Sequence, residues 1–139
     1  MSDYADFTRT ITREIREEGR PVTGFFAGKQ VLLLTTTGAK TGEPRTSVVA
    51  HTRDGDRIIV VASKSGAPTN PAWFANLTAN PIVTIEMDKH VFRARATAAE
   101  GAERDRLYAQ HASVHPQFND YPSKTERQIP VVILEPLKD

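Results

Sequence analysis

The chain has 139 residues, of which 18 are basic and 17 acidic, so its formal net charge of +1 provides no overall field that would gather nucleic acid. It has no cysteine, which removes disulfides, thiolate nucleophiles and cysteine metal clusters together, and its apolar runs fall far short of the ~18 residues of a membrane span. The length suits one domain over 1–139, burying roughly two thirds of its unfolded surface. Asp3 and Asp6 stand where a secretory signal carries base, so the expected location is cytoplasmic.

Phe7, Ile11 and Ile15 recur every four residues between charged positions, which predicts an amphipathic helix over about 3–18, ended by Gly19-Arg20-Pro21. Its narrow apolar stripe favours packing against the domain. Membrane contact is the lesser reading, because the polar face mixes acid and base. Strand-like runs follow at Val31–Leu34, Thr46–Thr52 and Ile58–Ala62, the last two joined through Arg53-Asp54-Gly55-Asp56, a hairpin signal. Asn70-Pro71-Ala72-Trp73-Phe74-Ala75-Asn76-Leu77 reads as a short helix with Asn70 as its cap and Pro71 at its first position. Two more strands, Ile82–Met87 and Val91–Thr97, flank Asp88-Lys89-His90. A helical stretch runs from Glu100 to Ala112, and the chain closes on a strand over Ile129–Glu135. The sum is a mainly β domain of about six strands with flanking helices.

Two polar loops stand out. Thr37-Gly38-Ala39-Lys40-Thr41-Gly42-Glu43-Pro44-Arg45 and Ala62-Ser63-Lys64-Ser65-Gly66 each leave a β segment with lysine, hydroxyls and glycine together, the makings of an anion cradle. The first is not a nucleoside-triphosphate loop, which requires glycine where this chain has Ala39 and Leu34. His111 and His115 are four apart, but no third cysteine or histidine ligand lies nearby in sequence, and a helix without metal is the stronger reading. Trp73-Phe74 taken alone reads as core packing.

These loops, in this order and spacing with the Asn70–Leu77 block and a weaker match at Tyr121 and Gln128–Pro136, resemble the deazaflavin-dependent nitroreductase family of actinobacteria. The resemblance covers nearly everything after Gln30. It implies a split β-barrel related to flavin-mononucleotide-binding oxidoreductases, and reduced coenzyme F-420, an 8-hydroxy-5-deazaflavin, as hydride donor.

By position, the resemblance assigns Ala39 (through its backbone), Lys40, Thr41 and Arg45 to the phosphate and acidic tail of the coenzyme. It sets Thr46, Ser47, Val48, Val49 and Ala50 beside the ring, and brings Val61, Ala62, Ser63 and Lys64 to it from the next strand. Ala72, Trp73, Phe74, Ala75 and Asn76 complete the pocket. Ser63 is the candidate to hydrogen-bond the ring or the accepting oxygen, with Tyr121 or solvent supplying the proton. His115, Phe118 and Tyr121 are read as a lid over the acceptor. Family members that reduce nitroimidazoles carry arginine and tyrosines where this chain has Ala39, Ala50, His115 and Phe118, so the acceptors rank as quinones, then conjugated enones or lactones, then nitroaromatics. The alternatives are a flavin-mononucleotide oxidoreductase of the same fold and a deazaflavin-binding protein without turnover. Monomer and homodimer both stay open.

Overall fold

The computed structural model describes residues 2–24 and 26–137. Helix α1 (Ser2–Glu18) is followed by strands β1 (Val31–Thr37), β2 (Pro44–Ala50), β3 (Thr52–Asp54) and β4 (Arg57–Val61). Helix α2 (Ala72–Ala79), strands β5 (Ile82–Met87) and β6 (His90–Ala98), helix α3 (Gly101–Val114) and strand β7 (Val131–Pro136) complete the chain.

The strands form one antiparallel sheet in the order β2-β1-β5-β6-β7-β4-β3. Its outermost strands, β2 and β3, are separated in the chain by His51 alone, whose amide donates to the Gln30 carbonyl at 2.9 Å. A sheet whose two outermost strands are consecutive in the chain has to curl so that its edges approach each other, the half-open form of a split barrel. The run Thr46–Thr52, expected as one strand, is therefore one strand broken where it passes from one edge of the curled sheet to the other. Counted that way the expected six strands and the split-barrel architecture are both present.

Strand alternation sorts the side chains into three packing layers. Leu32 and Leu34 of β1, Ile58 and Val60 of β4, Val83 and Ile85 of β5 and Leu134 of β7 fill the interior with Trp73 and Leu77 of α2. Val31 and Leu33 face outward against Ile11 and Ile15 of α1, each 2% exposed or less. Ile59, Val61, Val131 and Ile133 face Leu107, Tyr108 and Ala112 of α3. Strands covered on both faces explain the unbroken apolar runs in β1, β4 and β7. Burying Ile11 and Ile15 is worth about 1.5–3 kcal/mol each, enough to dock a helix that polar contacts alone would not hold.

Turn chemistry sets the connections. Met87 pairs with His90 across a two-residue turn in which Asp88 and Lys89 take φ of +52° and +66°, the geometry that matches strand twist. Helix α1 ends at Gly19 with φ +88°, and its carbonyl receives the Asp88 amide at 2.9 Å. Buried Glu14 accepts the amides of Val22 and Thr23 at 2.9 and 3.1 Å, tying down the turn after α1.

Two expectations need correction. Asn70 does not cap α2, since Pro71 occupies the cap position and the Asn70 carboxamide oxygen instead accepts from Arg127 at 2.7 Å. The last strand begins at Val131 rather than Ile129, because the Ile129 carbonyl is taken by the Arg104 guanidinium at 2.6 and 3.2 Å.

Candidate functional site

The first polar loop joins β1 to β2 and is folded tightly on itself. The Gly38 amide donates to the Glu43 carbonyl at 2.8 Å and the Gly42 amide to the Gly38 carbonyl at 2.9 Å. Gly42 takes φ of +73°, and a Cβ on Gly38 would stand 2.6 Å from the Thr41 hydroxyl, so both glycines are required by the turn. These bonds leave the amides of Lys40 and Thr41 without a partner among the described residues, consecutive and beside the exposed Lys40 side chain. Arg45, at the start of β2, pairs with Glu43 at 3.8 Å, a surface pair that costs little to exchange for another anion.

Between this loop and α2 lies a cleft of about 540 Å³. Lys40, Thr41 and Arg45 line it on one side with Gly38, Ala39, Thr46 and Ser47, and Ala72, Trp73, Ala75 and Asn76 line the other. One wall thus carries fixed positive charge and free amides, and the other is largely apolar. That donor set suits a ligand with an anionic end and a flat, poorly hydrated body. Ala39 departs from its expected role, because its amide already donates to Asn76 Oδ1 at 3.0 Å. Asn76 in turn donates to the Thr36 hydroxyl at 3.1 Å.

The remaining expected ring contacts do not converge on this cleft. Val48 packs toward α1, Ala50 and Val61 toward α3, and Val49 and Ala62 into the barrel interior, with Phe74 against that same core. Strand alternation is the reason: successive side chains point to opposite faces, so five consecutive residues of a barrel strand cannot all face one ligand.

The second loop forms a separate unit. Lys64–Gly66 is a 3-10 turn with Lys64 at φ +50° and Gly66 at +81°, and it packs on a second such turn, Tyr121–Lys124. A Cβ on Gly66 would lie 2.9 Å from the Lys124 Cβ. Arg127 binds the carbonyls of Ala62, Ser63 and Ala67 at 3.3, 2.7 and 2.9 Å, fastening the loop from the segment before β7. Ser63 is 6% exposed and its hydroxyl does not cap the turn that follows. Ser63, Lys64 and Tyr121 lie outside the lining of the 540 Å³ cleft.

His115 and Phe118, expected in an open lid, lie in the core at 1% and 7% exposure. His115 Nε2 donates to the His51 carbonyl at 2.9 Å, and His111 Nδ1 meets the Thr52 hydroxyl at 3.1 Å, so α3 grips the chain where the barrel closes. Phe118 meets the His111 ring edge-on at 4.5 Å and the Tyr121 ring at 4.9 Å, while Tyr108 donates to its carbonyl at 2.7 Å. Tyr121 stays half-buried at the rim of this cluster. Burial pushes the His51 ring down to about 4, with Arg53 adding to the effect, and His111 down to about 3, with His115 adding to it. Burial also lowers His115, partly offset by its bond to the His51 carbonyl. Arg127 and Thr36 gave no local signal in the sequence, since an arginine in a polar tail and a threonine in an apolar strand are ordinary.

A curled antiparallel half-barrel flanked by helices, with a cationic glycine loop facing an aromatic helix across a cleft, defines a protein with a site suited to a flat anionic ligand. The chain belongs to the F420H(2)-dependent quinone reductase family, whose model matches residues 7–136. An F420H(2)-dependent quinone reductase of Mycobacterium tuberculosis is 42% identical over 108 residues, covering 74% of this chain and 71% of that protein. Among solved structures, an F420-H2 dependent reductase (FDR-A) superposes with a TM-score of 0.70 at 36% identity, covering 76% of this chain and 93% of that one. Another, described as a domain-swapped dimer, has a TM-score of 0.73 at 34% identity, covering 95% of this chain and 99% of its own. The resemblance to actinobacterial deazaflavin enzymes thus holds, with the quinone-reducing members as the match.

Proposed function

We propose that this chain is a single-domain reductase that binds reduced coenzyme F-420 in the cleft between the first loop and α2 and passes its hydride to a quinone. The observation that carries the seat is the pair of amides at Lys40 and Thr41, without a partner among the described residues, in a loop that lines one cleft together with Arg45. Membership of the family carries the coenzyme, in preference to flavin mononucleotide, and the reaction. When bound, the reduced deazaflavin supplies two electrons as hydride; with one proton the quinone becomes a hydroquinone.

The chain's own part is binding, orientation and proton supply. Lys40, Arg45 and the two amides neutralise the anionic end, while Ala72, Trp73 and Ala75 exclude water from one side of the cleft. Ser63 is the donor assigned to the accepting oxygen, and the Tyr121 hydroxyl or solvent supplies the proton. Ser63 precedes the Lys64–Gly66 turn, which packs on the Tyr121–Lys124 turn, so both residues belong to one unit outside the lining of the cleft, and their roles rest on the resemblance. Conjugated enones or lactones rank behind quinones, and nitroaromatics behind those.

The test is a single turnover: protein loaded with reduced coenzyme is mixed with menadione and the return of deazaflavin absorbance is followed. Oxidation faster than in protein-free solution supports the reading; tight binding without faster oxidation leaves a coenzyme-binding protein instead. The relative described as a domain-swapped dimer supports a homodimer here, which light scattering checks. No helix among the described residues is long and apolar enough to cross a membrane. The cytoplasmic location expected from the sequence belongs to this proposal, and fractionation of the native host tests it.

A further inference from the structure

We infer that Thr36 is a positioning residue for the coenzyme loop, acting through Asn76 to set the distance between the two walls of the cleft. Thr36 is 1% exposed and lies in β1 beneath the loop, outside the lining of the cleft. Its hydroxyl accepts from Asn76 Nδ2 at 3.1 Å, and Asn76 Oδ1 accepts the Ala39 amide at 3.0 Å.

The direction of this relay follows from chemistry. A backbone amide can only donate, so the carboxamide atom facing Ala39 is the oxygen, which turns the nitrogen toward Thr36. The Thr36 hydroxyl is thus the acceptor that holds the carboxamide in the orientation Ala39 needs. The bonds from Gly38 to Glu43, from Gly42 to Gly38 and from the Glu43 amide to the Thr41 hydroxyl, which also shape the loop, are internal to it. Asn76 is different, since it belongs to α2, the helix that presents Ala72, Trp73 and Ala75 to the cleft. Its bond ties the cationic wall to the apolar wall. Engaging the Ala39 amide also leaves the amides of Lys40 and Thr41, and not that of Ala39, to meet an anion. The Asn76–Thr36 bond is buried, so loss of the Thr36 acceptor leaves an unpaired donor and a carboxamide free to turn.

The inference rests on the proposed seat of the coenzyme at this loop, so the experiment carries a control for the seat. Coenzyme affinity by fluorescence titration, thermal midpoint and menadione kinetics are measured for Thr36→Val, Thr36→Ser and Lys40→Ala. Thr36→Val is expected to raise the coenzyme Kd about five- to twenty-fold, with kcat at saturating coenzyme falling by less than the KM for coenzyme rises, and Thr36→Ser to restore affinity to within about twofold. Wild-type affinity in Thr36→Val alongside weakened Lys40→Ala overturns the relay while leaving the seat in place. Wild-type affinity in both overturns the seat and the relay with it. Should Thr36→Val not fold, Thr36→Ala and Thr36→Ser decide the matter, since both lack the methyl and only serine keeps the hydroxyl: equal loss in the two overturns the relay, and loss in alanine alone supports it.

Discussion

Arg127 donates to the carbonyl of Ser63 at 2.7 Å across 64 residues of chain, and this contact makes the second polar loop part of the closing segment of the barrel. The same guanidinium holds the carbonyls of Ala62 and Ala67 and the side chain of Asn70. A planar fork with several donors can satisfy that many carbonyls at once, whereas an ammonium is a point charge without that fixed geometry.

Arg127→Ala should therefore destabilise the fold by about 2 kcal/mol, because three part-buried carbonyls lose a charged donor at once. Arg127→Lys should recover less than half of that. Chemical denaturation of both variants checks it, and a lysine variant as stable as wild type would show that charge alone, not the fork, holds the loop.

Lys40→Ala and Arg45→Ala should each weaken coenzyme binding by about 1–3 kcal/mol with little effect on stability, since both side chains are exposed and neither supports the core. The loss should shrink as salt is added, by screening of an exposed charge pair. Titration of coenzyme fluorescence at two ionic strengths measures both effects, and unchanged affinity in the two variants counts against the seat.

The three buried histidines make the fold acid-sensitive. Their folded pKa values lie below the ordinary 6.5, with His51 at about 4 and His111 at about 3, so the unfolded chain binds more protons as pH falls. The stabilisation is fully present above pH 6.5 and is lost progressively as pH falls through the folded values. His111→Gln should flatten this loss between about pH 6.5 and pH 5, above the range in which carboxylates titrate. Thermal midpoints across that range check the prediction, and parallel curves for wild type and variant would overturn it.

Phe118→Ala should cost about 3–5 kcal/mol, the range for truncating a core aromatic, because the ring fills the space between His111 and Tyr121. Tyr121→Phe should leave stability within about 0.5 kcal/mol, as that hydroxyl has no described partner, and should lower quinone turnover if its proton is used. A Phe118→Ala variant of wild-type stability with altered acceptor preference would restore the lid reading.

Much of this protein was legible from residues near one another in the chain. The period of four in Phe7, Ile11 and Ile15 reports a helix against the core, Asp54-Gly55 reports a hairpin, and the glycines around Ala39-Lys40-Thr41 report a tight loop with free amides. Each depends on local geometry that composition and spacing encode directly. What only the tertiary structure decided are relations between distant positions. Closure of the sheet breaks one strand at His51 and turns Val48, Val49 and Ala50 to three different packing layers, and docking of α3 carries His115 and Phe118 from an apparent loop into the core. Asn76 pairs with Thr36 and Ala39, and Arg127 with Ser63, at separations of 37 to 64 residues. Such contacts are invisible to periodicity because a hydrogen bond between distant residues depends on where the folded chain returns, and packing of the whole barrel, not any local pattern, sets that place.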